Sequence, residues 1–384
     1  MKVVIYSNSS LGGCYEYAKQ IAAEYARNAE VEWCKALFPK GSAADCAQTV
    51  DILLKDRMFS GIGKLFGKIY FLYRSLINPI RAYKYATKNN ADLLIFNDFD
   101  QVTSYFWTRR YRRRKFKTAI ILHDPDRTAY FHRKTLSEST MQRIMDIVDI
   151  AFYHEKLPPL PYYENKDNRI IFSHIPHGIY PPAEEDKDIA KIFQNLKSQG
   201  LTTLSITGNI RAEKNYKIAI DAVAQIPDTV LIIAGRSVTV TENVDTYRQY
   251  AQENGVENRV IFIEKYLNNN ELSAVFANSD IILLYYSTAF KSQSGILNSL
   301  SPYKPKLIVS DTESGMAQSV KKFGIARLAT PDSVDALVDA IKTYPAENPY
   351  TENWQKFADY SSWENNIAIQ ISTYNQSVTK NENA

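Results

Sequence analysis

The sequence predicts an α/β fold of two doubly wound, Rossmann-like domains that face each other across a cleft. Short apolar runs without polar alternation recur along the 384-residue chain. Stretches with helical periodicity lie between many of them. Such strands and helices form parallel sheets that are covered on both faces. The length is also sufficient for two or three domains, each with a core of its own.

The predicted strands fall into two series. The first consists of KVVIY (2–6), DLLIF (92–96), TAIIL (118–122) and IAFYH (150–154). The second consists of LSIT (204–207), VLIIAG (230–235), RVIFI (259–263), DIILLYY (280–286) and KLIVS (306–310). Helical spacing follows the first strand, at Cys14, Tyr17, Ala18, Ile21, Ala22 and Tyr25, and recurs over 217–226 and 270–279.

A Pro- and Gly-rich segment separates the two series. PHGIYPP (176–182) is followed by the charged stretch AEEDKDIAK. We therefore expect a linker near Ile179 to Glu185, an N-terminal domain over 1–180 and a C-terminal domain over 181–361. The stretch from Asn365 to Ser377 is again helical, and the final TKNENA is expected to fray.

Composition limits the class of protein. Hydrophobic residues make up 45% and charged residues 23%, which excludes a disordered chain and a disulfide scaffold. Cys14, Cys34 and Cys46 form no CxxC pair, so we expect reduced thiols and no zinc site. No apolar run approaches the ~20 residues of a membrane-spanning helix, and MKVVIYSNSS lacks the apolar segment of a signal peptide. We expect a cytoplasmic protein.

The loops after the predicted strands contain the candidate functional residues, because ligands of open α/β sheets bind beyond the carboxyl ends of the strands. GNIRAEKNY (208–216) places Gly208, Arg211 and Lys214 before a helix that begins near Asn215. A glycine and two cations at a helix start suit a diphosphate. A plain βα turn with solvated charges is the alternative.

A second small-residue loop, Ser292, Gln293, Ser294 and Gly295, precedes a helical run over 296–301. It suits a phosphate, although an ordinary N-capped helix explains the serines equally well. In the first half, SNSSLGG (7–13) ends in Gly12 and Gly13 and does not match GxGxxG. His123 follows the strand TAIIL. The sequence is consistent with two roles for it, contact with a ligand or a purely structural role.

Several segments, taken in order, resemble the retaining glycosyltransferases of family 4. They are the interdomain stretch IPHGI (175–179), GNIRAEKNY (208–216), VLIIAGR (230–236), the segment from Asn258 to Tyr286, the segment from Ser292 to Gly315, and SSWEN (361–365). The match covers about residues 170–380. The first half matches only in layout and at Gly12, Gly13 and His123.

This resemblance implies the GT-B fold, with a terminal helix (about 362–384) that crosses back to the first domain. It implies sugar transfer with retention from a UDP- or GDP-linked donor to a saccharide or lipid-linked saccharide, in cell-surface polysaccharide biosynthesis. Arg211 and Lys214 would stabilise the leaving diphosphate with the amides of Ser294 and Gly295, and no metal or other cofactor is expected. Tyr266 would lie at the base pocket, and His123 would position the donor sugar.

One departure concerns two glutamates that many family members carry eight positions apart. Gly295 fixes the register, and those positions hold Ser292 and Leu300. The second acid usually holds the nucleotide ribose, which Leu300 cannot do. The chain is most similar to a bacterial subset with a Ser-Gly-x-Leu loop. A non-catalytic nucleotide-binding subunit of the same fold is the first alternative, and a sugar-nucleotide epimerase is another.

A basic, aromatic zone lies in the first half. Residues 55–118 carry 15 Lys and Arg against 4 Asp and Glu, together with 14 Phe, Tyr and Trp. On a helix over 58–80, Ile62, Leu65, Phe66, Ile69, Leu72, Tyr73, Leu76, Ile77 and Ile80 share one side, opposite Lys64, Lys68, Arg74, Ser75 and Asn78. Packing on the domain core and docking at an anionic membrane are both open. Nucleic-acid binding by Arg109 to Lys117 is disfavoured, since no recognised module surrounds that run.

Overall fold

The computed structural model describes residues 1–42, 48–56, 64–128, 130–154, 156–165, 167–237 and 243–382. The chain divides into two compact units. Unit 1 comprises Met1–Gly178 and Ser362–Ala384, and unit 2 comprises Ile179–Ser361. Residues 175–186 have no regular secondary structure.

Unit 1 contains a parallel sheet in the order β3-β2-β1-β4-β5-β6-β7. Its strands within the described residues are β1 (Lys2–Tyr6), β2 (Trp33–Pro39), β3 (Thr49–Leu53), β4 (Leu93–Phe96), β5 (Lys117–Leu122), β6 (Ile150–Tyr153) and β7 (Ile171–His174). The central strand pairs on both sides, with Ile5 opposite Ala36 and opposite Ile95. Since all these pairs are parallel, the loops after the strands lie along one edge of the sheet.

The helices of unit 1 in the described residues are α1 (Gly13–Arg27), α2 (Lys64–Lys88), α3 (Ser104–Tyr111), α4 (Lys134–Met145) and, at the end of the chain, α13 (Trp363–Glu382). Alternate strand residues enter different cores. Val4 and Tyr6 pack in a cluster with Trp107 and Tyr111 of α3. Val3 and Ile5 pack in another with α1 and α13 residues. Both faces of the sheet are therefore buried.

Unit 2 repeats the strand order with six strands, β10-β9-β8-β11-β12-β13. They are β8 (Thr202–Thr207), β9 (Thr229–Ala234), β10 (Val260–Ile263), β11 (Ile281–Leu284), β12 (Leu307–Ser310) and β13 (Arg327–Ala329). The helices are α5 (Lys187–Ser198), α6 (Tyr216–Gln225), α7 (Val244–Glu253), α8 (Asn269–Asn278), α9 (Gly295–Leu300), α10 (Gly315–Phe323), α11 (Val334–Lys342) and α12 (Thr351–Tyr360). Again, Leu283 and Leu284 enter separate cores.

The predicted fold class is confirmed, since both sheets are parallel and covered by helices on both faces. Four strands escaped the pattern analysis, namely β2, β3, β7 and β13. β7 and β13 are partly exposed and lie at sheet edges, so their sequences lack a continuous apolar run. The expected fraying of TKNENA was wrong as far as Glu382, because α13 continues to that residue.

The predicted helix over 58–80 lies outside the described residues for 58–63 and corresponds to α2 from Lys64 onward. Part of its polar side faces the interior of unit 1. Ser75 and Asn78 are fully buried, and Arg74 is nearly so. The leading half of the predicted apolar side is instead exposed to solvent. Among the described residues, no helix is long and apolar enough to cross a membrane.

Candidate functional site

The loop after β8 makes a turn that its glycines permit. Gly208 has a φ of +93°, which residues with a Cβ rarely adopt. Gly235, after β9, lies against it, and a Cβ on Gly235 would be 1.9 Å from the Gly208 carbonyl oxygen. The two loops can therefore approach this closely only because both residues are glycines.

Lys214 lies in a short 3-10 helix, Ala212–Lys214, that follows this turn. Its side chain is buried with only 7% exposed, and its Nζ donates a hydrogen bond to the carbonyl oxygen of Thr207. A Cβ on Gly208 would lie 3.0 Å from that Nζ. The absence of a side chain at Gly208 thus leaves room beside the ammonium group.

Burial, with a smaller contribution from the nearby Arg211, lowers the pKa of Lys214 to about 7, while Glu213 opposes the shift. An ammonium group carries three N–H donors. Among the described residues, Thr207 is the only hydrogen-bond acceptor that Lys214 meets. Burying a cation is unfavourable unless an opposite charge compensates it. Lys214 is therefore poised to receive an anion.

Arg211 provides a second cation next to Lys214. Its side chain is 54% exposed, and its Nη1 lies 3.5 Å from Glu213 Oε1. Such exposed ion pairs are weak, so a ligand phosphate can compete for the guanidinium. The predicted pair of cations is thus brought to one loop, with Lys214 fixed inside it and Arg211 at its surface.

The loop after β11 reaches the same place. The Tyr286 ring centroid lies 5.9 Å from Lys214 Nζ, and the Tyr286 hydroxyl is hydrogen-bonded to the Ser294 side chain. Burial raises the pKa of Tyr286 to about 12. Ile296, on α9, would contact a Cβ on Gly208 at 3.7 Å. Ser294 and Gly295 therefore lie beside Gly208 and Lys214.

Ser292 and Gln293 have a different placement. The Ser292 carbonyl accepts a hydrogen bond from Met316 N at 3.4 Å. Gln293 Nε2 donates to Ser319 Oγ at 2.8 Å. Both contacts attach the loop to α10, so these two residues anchor the segment that carries Ser294 and Gly295.

Asp332, which the sequence analysis did not single out, ties three loops together. Asn215 Nδ2 donates to Asp332 Oδ1 at 2.9 Å, and the backbone N–H and hydroxyl of Thr288 donate to Oδ2 at 3.0 and 2.8 Å. Burial acts to raise the pKa of Asp332, but these hydrogen bonds outweigh it and lower the pKa. Asp332 lies in the loop after β13, and because the sequence did not predict β13, no sequence signal marked this loop.

Tyr266 lies in the loop after β10 and is 47% exposed. The Arg236 guanidinium, in the loop after β9, lies 5.1 Å from the Tyr266 ring centroid. A cation over an aromatic face is a favourable arrangement. The pair presents a flat surface on the same edge of the sheet as Lys214. Arg236 is a residue that the sequence analysis missed.

Leu300 is fully buried in the core that includes Leu297 and Leu307. Its position is apolar, so a carboxylate there would pay a large desolvation cost. The apolar packing of α9 therefore favours Leu300 over a glutamate at this position.

In unit 1, His123 is held by Asn97. His123 Nε2 lies 3.2 Å from Asn97 Oδ1, and Asn97 Nδ2 donates to the Cys14 carbonyl at 2.8 Å. Because the Asn97 amide nitrogen is the donor to Cys14, its oxygen accepts from His123, and the Nε2–H tautomer follows. Nδ1 of His123 then keeps a lone pair.

His123 belongs to a cluster of aromatic rings around Tyr17. The ring centroids of His123, His154 and His177 lie 4.6, 5.3 and 5.2 Å from that of Tyr17. Burial, followed by the nearby His177, lowers the pKa of His123 to about 3. His123 is therefore neutral near pH 7 and a weak base.

The β1–α1 loop ends at Gly12, and Gly13 is the first residue of α1. Gly12 has a φ of +86°, and neither glycine has an atom within 4 Å of a Cβ position. Asp98, after β4, fixes the preceding turn by accepting hydrogen bonds from the backbone N–H groups of Asn8 and Ser9 and from the Ser9 hydroxyl. Burial raises the pKa of Asp98, against these hydrogen bonds. No group of three or more His, Cys, Asp or Glu side chains in the described ranges is arranged to hold a metal ion.

Residues 188–359 match the family model described as Glycosyl transferases group 1. The matched range lies within unit 2 and covers most of it. Lys214, Arg211, Ser294 and Tyr266 all lie inside this range. No curated protein sequence matches the chain.

Three solved structures are similar to the whole chain and share its GT-B fold. Sucrose-phosphate synthase from Thermosynechococcus elongatus is 16% identical, with a TM-score of 0.71 over 100% of both chains. HepE from Anabaena, in complex with UDP and glucose, is 16% identical, with a TM-score of 0.65 over 100% of this chain and 99% of its own. WaaG, a glycosyltransferase involved in lipopolysaccharide biosynthesis, is 15% identical, with a TM-score of 0.63 over 97% and 99%. At these sequence identities, the similarity shows a shared fold.

Proposed function

We propose that the protein is a retaining glycosyltransferase that uses a nucleotide-sugar donor and that its glycosyltransferase domain binds the donor diphosphate. The observation that carries this proposal is Lys214, a buried ammonium group with one acceptor among the described residues. A diphosphate supplies the compensating charge. Arg211 adds the second cation from the same loop.

The residues fit the demands of the reaction. The bond between the anomeric carbon and the diphosphate oxygen breaks, the acceptor oxygen bonds to that carbon, and the proton of the acceptor hydroxyl passes to the departing diphosphate. Negative charge grows on the departing diphosphate, and cations fixed in advance at that position lower the barrier. Lys214 and Arg211 supply this charge, so we expect turnover without a divalent metal ion.

Three other residues complete the assignment. We assign Tyr266, with Arg236 over its ring, to the nucleotide base. We assign His123 to hydrogen bonding with the sugar, because a histidine whose pKa is lowered to about 3 is a poor general base at neutral pH.

A UDP-linked donor is the first choice, because the similar HepE structure contains UDP and glucose. A GDP-linked donor is the second. WaaG acts in lipopolysaccharide biosynthesis, which supports a saccharide or lipid-linked saccharide acceptor and a place in cell-surface polysaccharide synthesis. The free thiols of Cys14 and Cys34 and the nucleotide-sugar donor together support a cytoplasmic enzyme.

A nucleotide-binding subunit without turnover is the second candidate, and the buried Leu300 favours it. Without an acid at that position, the ribose must be held by other groups. Donor binding without sugar release or transfer, over a broad panel of acceptors, would identify such a subunit.

The test is an assay of UDP-, GDP- and ADP-sugars with saccharide and lipid-linked acceptors, in which NMR reports the anomeric configuration of the product. We expect transfer from one nucleotide class with retention, at the same rate with and without EDTA. Inversion, or loss of activity in EDTA with rescue by Mg²⁺ or Mn²⁺, would contradict the proposal.

A further inference from the structure

Two residues with a left-handed backbone are hydrogen-bonded to each other in unit 2. Asn215, which follows Lys214 directly, and Asp332, after β13, each have a φ of +55°. Residues with a Cβ rarely adopt this conformation, although asparagine and aspartate tolerate it best. Asn215 Nδ2 donates to Asp332 Oδ1 at 2.9 Å. A glycine would suit either backbone better, but it could not form this hydrogen bond.

The other carboxylate oxygen of Asp332 binds the loop after β11. The backbone N–H and the hydroxyl of Thr288 donate to Asp332 Oδ2 at 3.0 and 2.8 Å. The same loop continues to Ser294, at the start of α9. One carboxylate therefore joins the loop that carries Lys214 to the loop that carries Ser294.

A second link between these two loops is formed by the backbone alone. The Ser287 N–H donates to the Glu213 carbonyl oxygen at 2.7 Å. Glu213 and Asn215 are the residues on either side of Lys214, and Ser287 precedes Thr288. The chain is thus attached to the β11 loop immediately before and immediately after Lys214.

The turn that presents Asp332 is fixed by a buried side chain. Tyr285, at the end of β11, is only 2% exposed. Its hydroxyl lies within hydrogen-bonding distance of the carbonyl oxygens of Thr330 and Ser333 and accepts from the Ser333 N–H at 3.1 Å. Asp332 lies between these two residues, so the turn is held on both sides of its carboxylate.

Asp332 holds this arrangement without neutralising the cations of the site. In the part of the chain that the structure describes, its hydrogen-bond donors are the Asn215 amide and the Thr288 N–H and hydroxyl. Neither Lys214 nor Arg211 is among its partners. A carboxylate bonded to the Lys214 ammonium would compete with a ligand phosphate, whereas Asp332 leaves that charge available.

We propose that Asp332 is a positioning residue of the donor site, which acts through Asn215 and Thr288 to hold Lys214 in place relative to Ser294 before the donor binds. This inference rests on the proposed function, because it concerns the diphosphate site of that donor. A cation that is already in place costs less to order on binding and stabilises the leaving diphosphate without rearrangement.

The test is calorimetric titration of UDP-glucose, GDP-mannose, uridine and guanosine into the full chain and its variants. Asp332→Ala should bind the accepted nucleotide sugar roughly tenfold more weakly than wild type. The matching nucleoside should bind with unchanged affinity, because it has no diphosphate. A residue that merely stabilised unit 2 would not separate these two ligands.

Two further variants isolate the links themselves. Asp332→Asn should retain most of the affinity, since its oxygen can accept from Thr288 and its NH₂ group can donate to Asn215 once that amide rotates. Asn215→Gly keeps the left-handed backbone and removes only the link beside Lys214, so it should weaken binding roughly threefold to fivefold. Cooperative thermal melts would show that each variant is folded.

The matched control is Asp335→Ala, which removes an exposed acid from the first turn of α11 and should leave nucleotide-sugar affinity unchanged. A double-mutant cycle tests whether Asp332 acts through Lys214. In a Lys214→Ala background, Asp332→Ala should lower the affinity by no more than about twofold, because the group that it positions is gone.

Several results would overturn the proposal. If Lys214→Ala weakens nucleotide-sugar binding and Asp332→Ala does not, this inference is wrong and the proposed function stands. The inference is also wrong if the nucleoside loses affinity in parallel, if Asp332→Asn loses as much as Asp332→Ala, or if the tenfold loss persists in the Lys214→Ala background. Failure of the wild-type chain to bind either nucleotide sugar would contradict the proposed function, and this inference with it.

Discussion

Units 1 and 2 share a strand order, but the loops after their equivalent strands β1 and β8 carry groups of opposite charge. In unit 1, the loop after the central strand β1 gives its Asn8 and Ser9 amides to the carboxylate of Asp98. In unit 2, the loop after the central strand β8 holds the ammonium group of Lys214 with Arg211 beside it. The first loop is already occupied by an internal anion, whereas the second has a cation that still needs one.

This difference shows why the fold alone does not locate the donor. Both sheets offer the topological switch point where ligands of such folds bind. Only the charge of the residues that the loops place there separates the two, because function depends on the site and not on the architecture. We therefore assign the diphosphate to unit 2.

The largest expected effect is that of Lys214→Ala on turnover. Losing one fixed cation at a developing anion should lower kcat roughly 10²–10³-fold. The matched control is Lys217→Ala, which removes an exposed lysine three residues further along and should leave the rate near that of wild type. Steady-state kinetics with a nucleotide sugar gives both numbers. Comparable rates in Lys214→Ala and Lys217→Ala would contradict the assignment of the donor diphosphate to Lys214 in unit 2.

A smaller effect is expected from pH. The pKa of Lys214 is lowered to about 7 in the free protein, and a diphosphate requires the protonated form. Affinity for a UDP-sugar should therefore be highest below pH 7 and should fall roughly tenfold for each pH unit above it. A UDP-sugar is preferable to UDP, whose terminal phosphate titrates nearby. Calorimetric titrations from pH 6 to 9 would measure the slope.

The control for the pH dependence is Lys214→Arg. A guanidinium stays charged over this range, so the affinity of that variant should be nearly independent of pH. An equal slope in wild type and Lys214→Arg would mean that some other group is responsible.

His123→Ala should have the smallest effect and should sharpen the contrast between the units. Losing a hydrogen bond of about 1 kcal/mol should lower turnover roughly fivefold to tenfold. UDP affinity should be unchanged, because we assign the nucleotide to unit 2. His123→Gln, which can keep a donor toward Asn97, should retain more activity than His123→Ala. A parallel loss of UDP affinity in His123→Ala would place the histidine at the nucleotide.

Local sequence patterns were sufficient for the central strands and for the loops that follow them. Gly208, Arg211 and Lys214 stood out because a glycine and two cations follow a continuous apolar run. The burial of Lys214 could not be predicted, because it depends on Tyr286, from the loop after β11, which is distant in sequence. Asp332 and Arg236 escaped notice for the same reason, since their partners come from other strands.

Helix α2 shows the limit of periodicity. The spacing correctly separates an apolar side from a polar side, but it does not state which side the protein buries. The polar side chains of Arg74 and Asn78 find partners in Asp56, Asn8 and Leu54. Those partners lie before α2 or near the start of the chain, and no helical pattern contains that information.

The most direct test of the central claim is calorimetric titration of UDP-glucose and GDP-mannose into the full chain, Lys214→Ala and Lys217→Ala. The account predicts that wild type and Lys217→Ala bind one of these nucleotide sugars with equal affinity and that Lys214→Ala binds it at least about tenfold more weakly. Equal affinity in Lys214→Ala and wild type would contradict the account, because the buried ammonium would then have no part in holding the diphosphate.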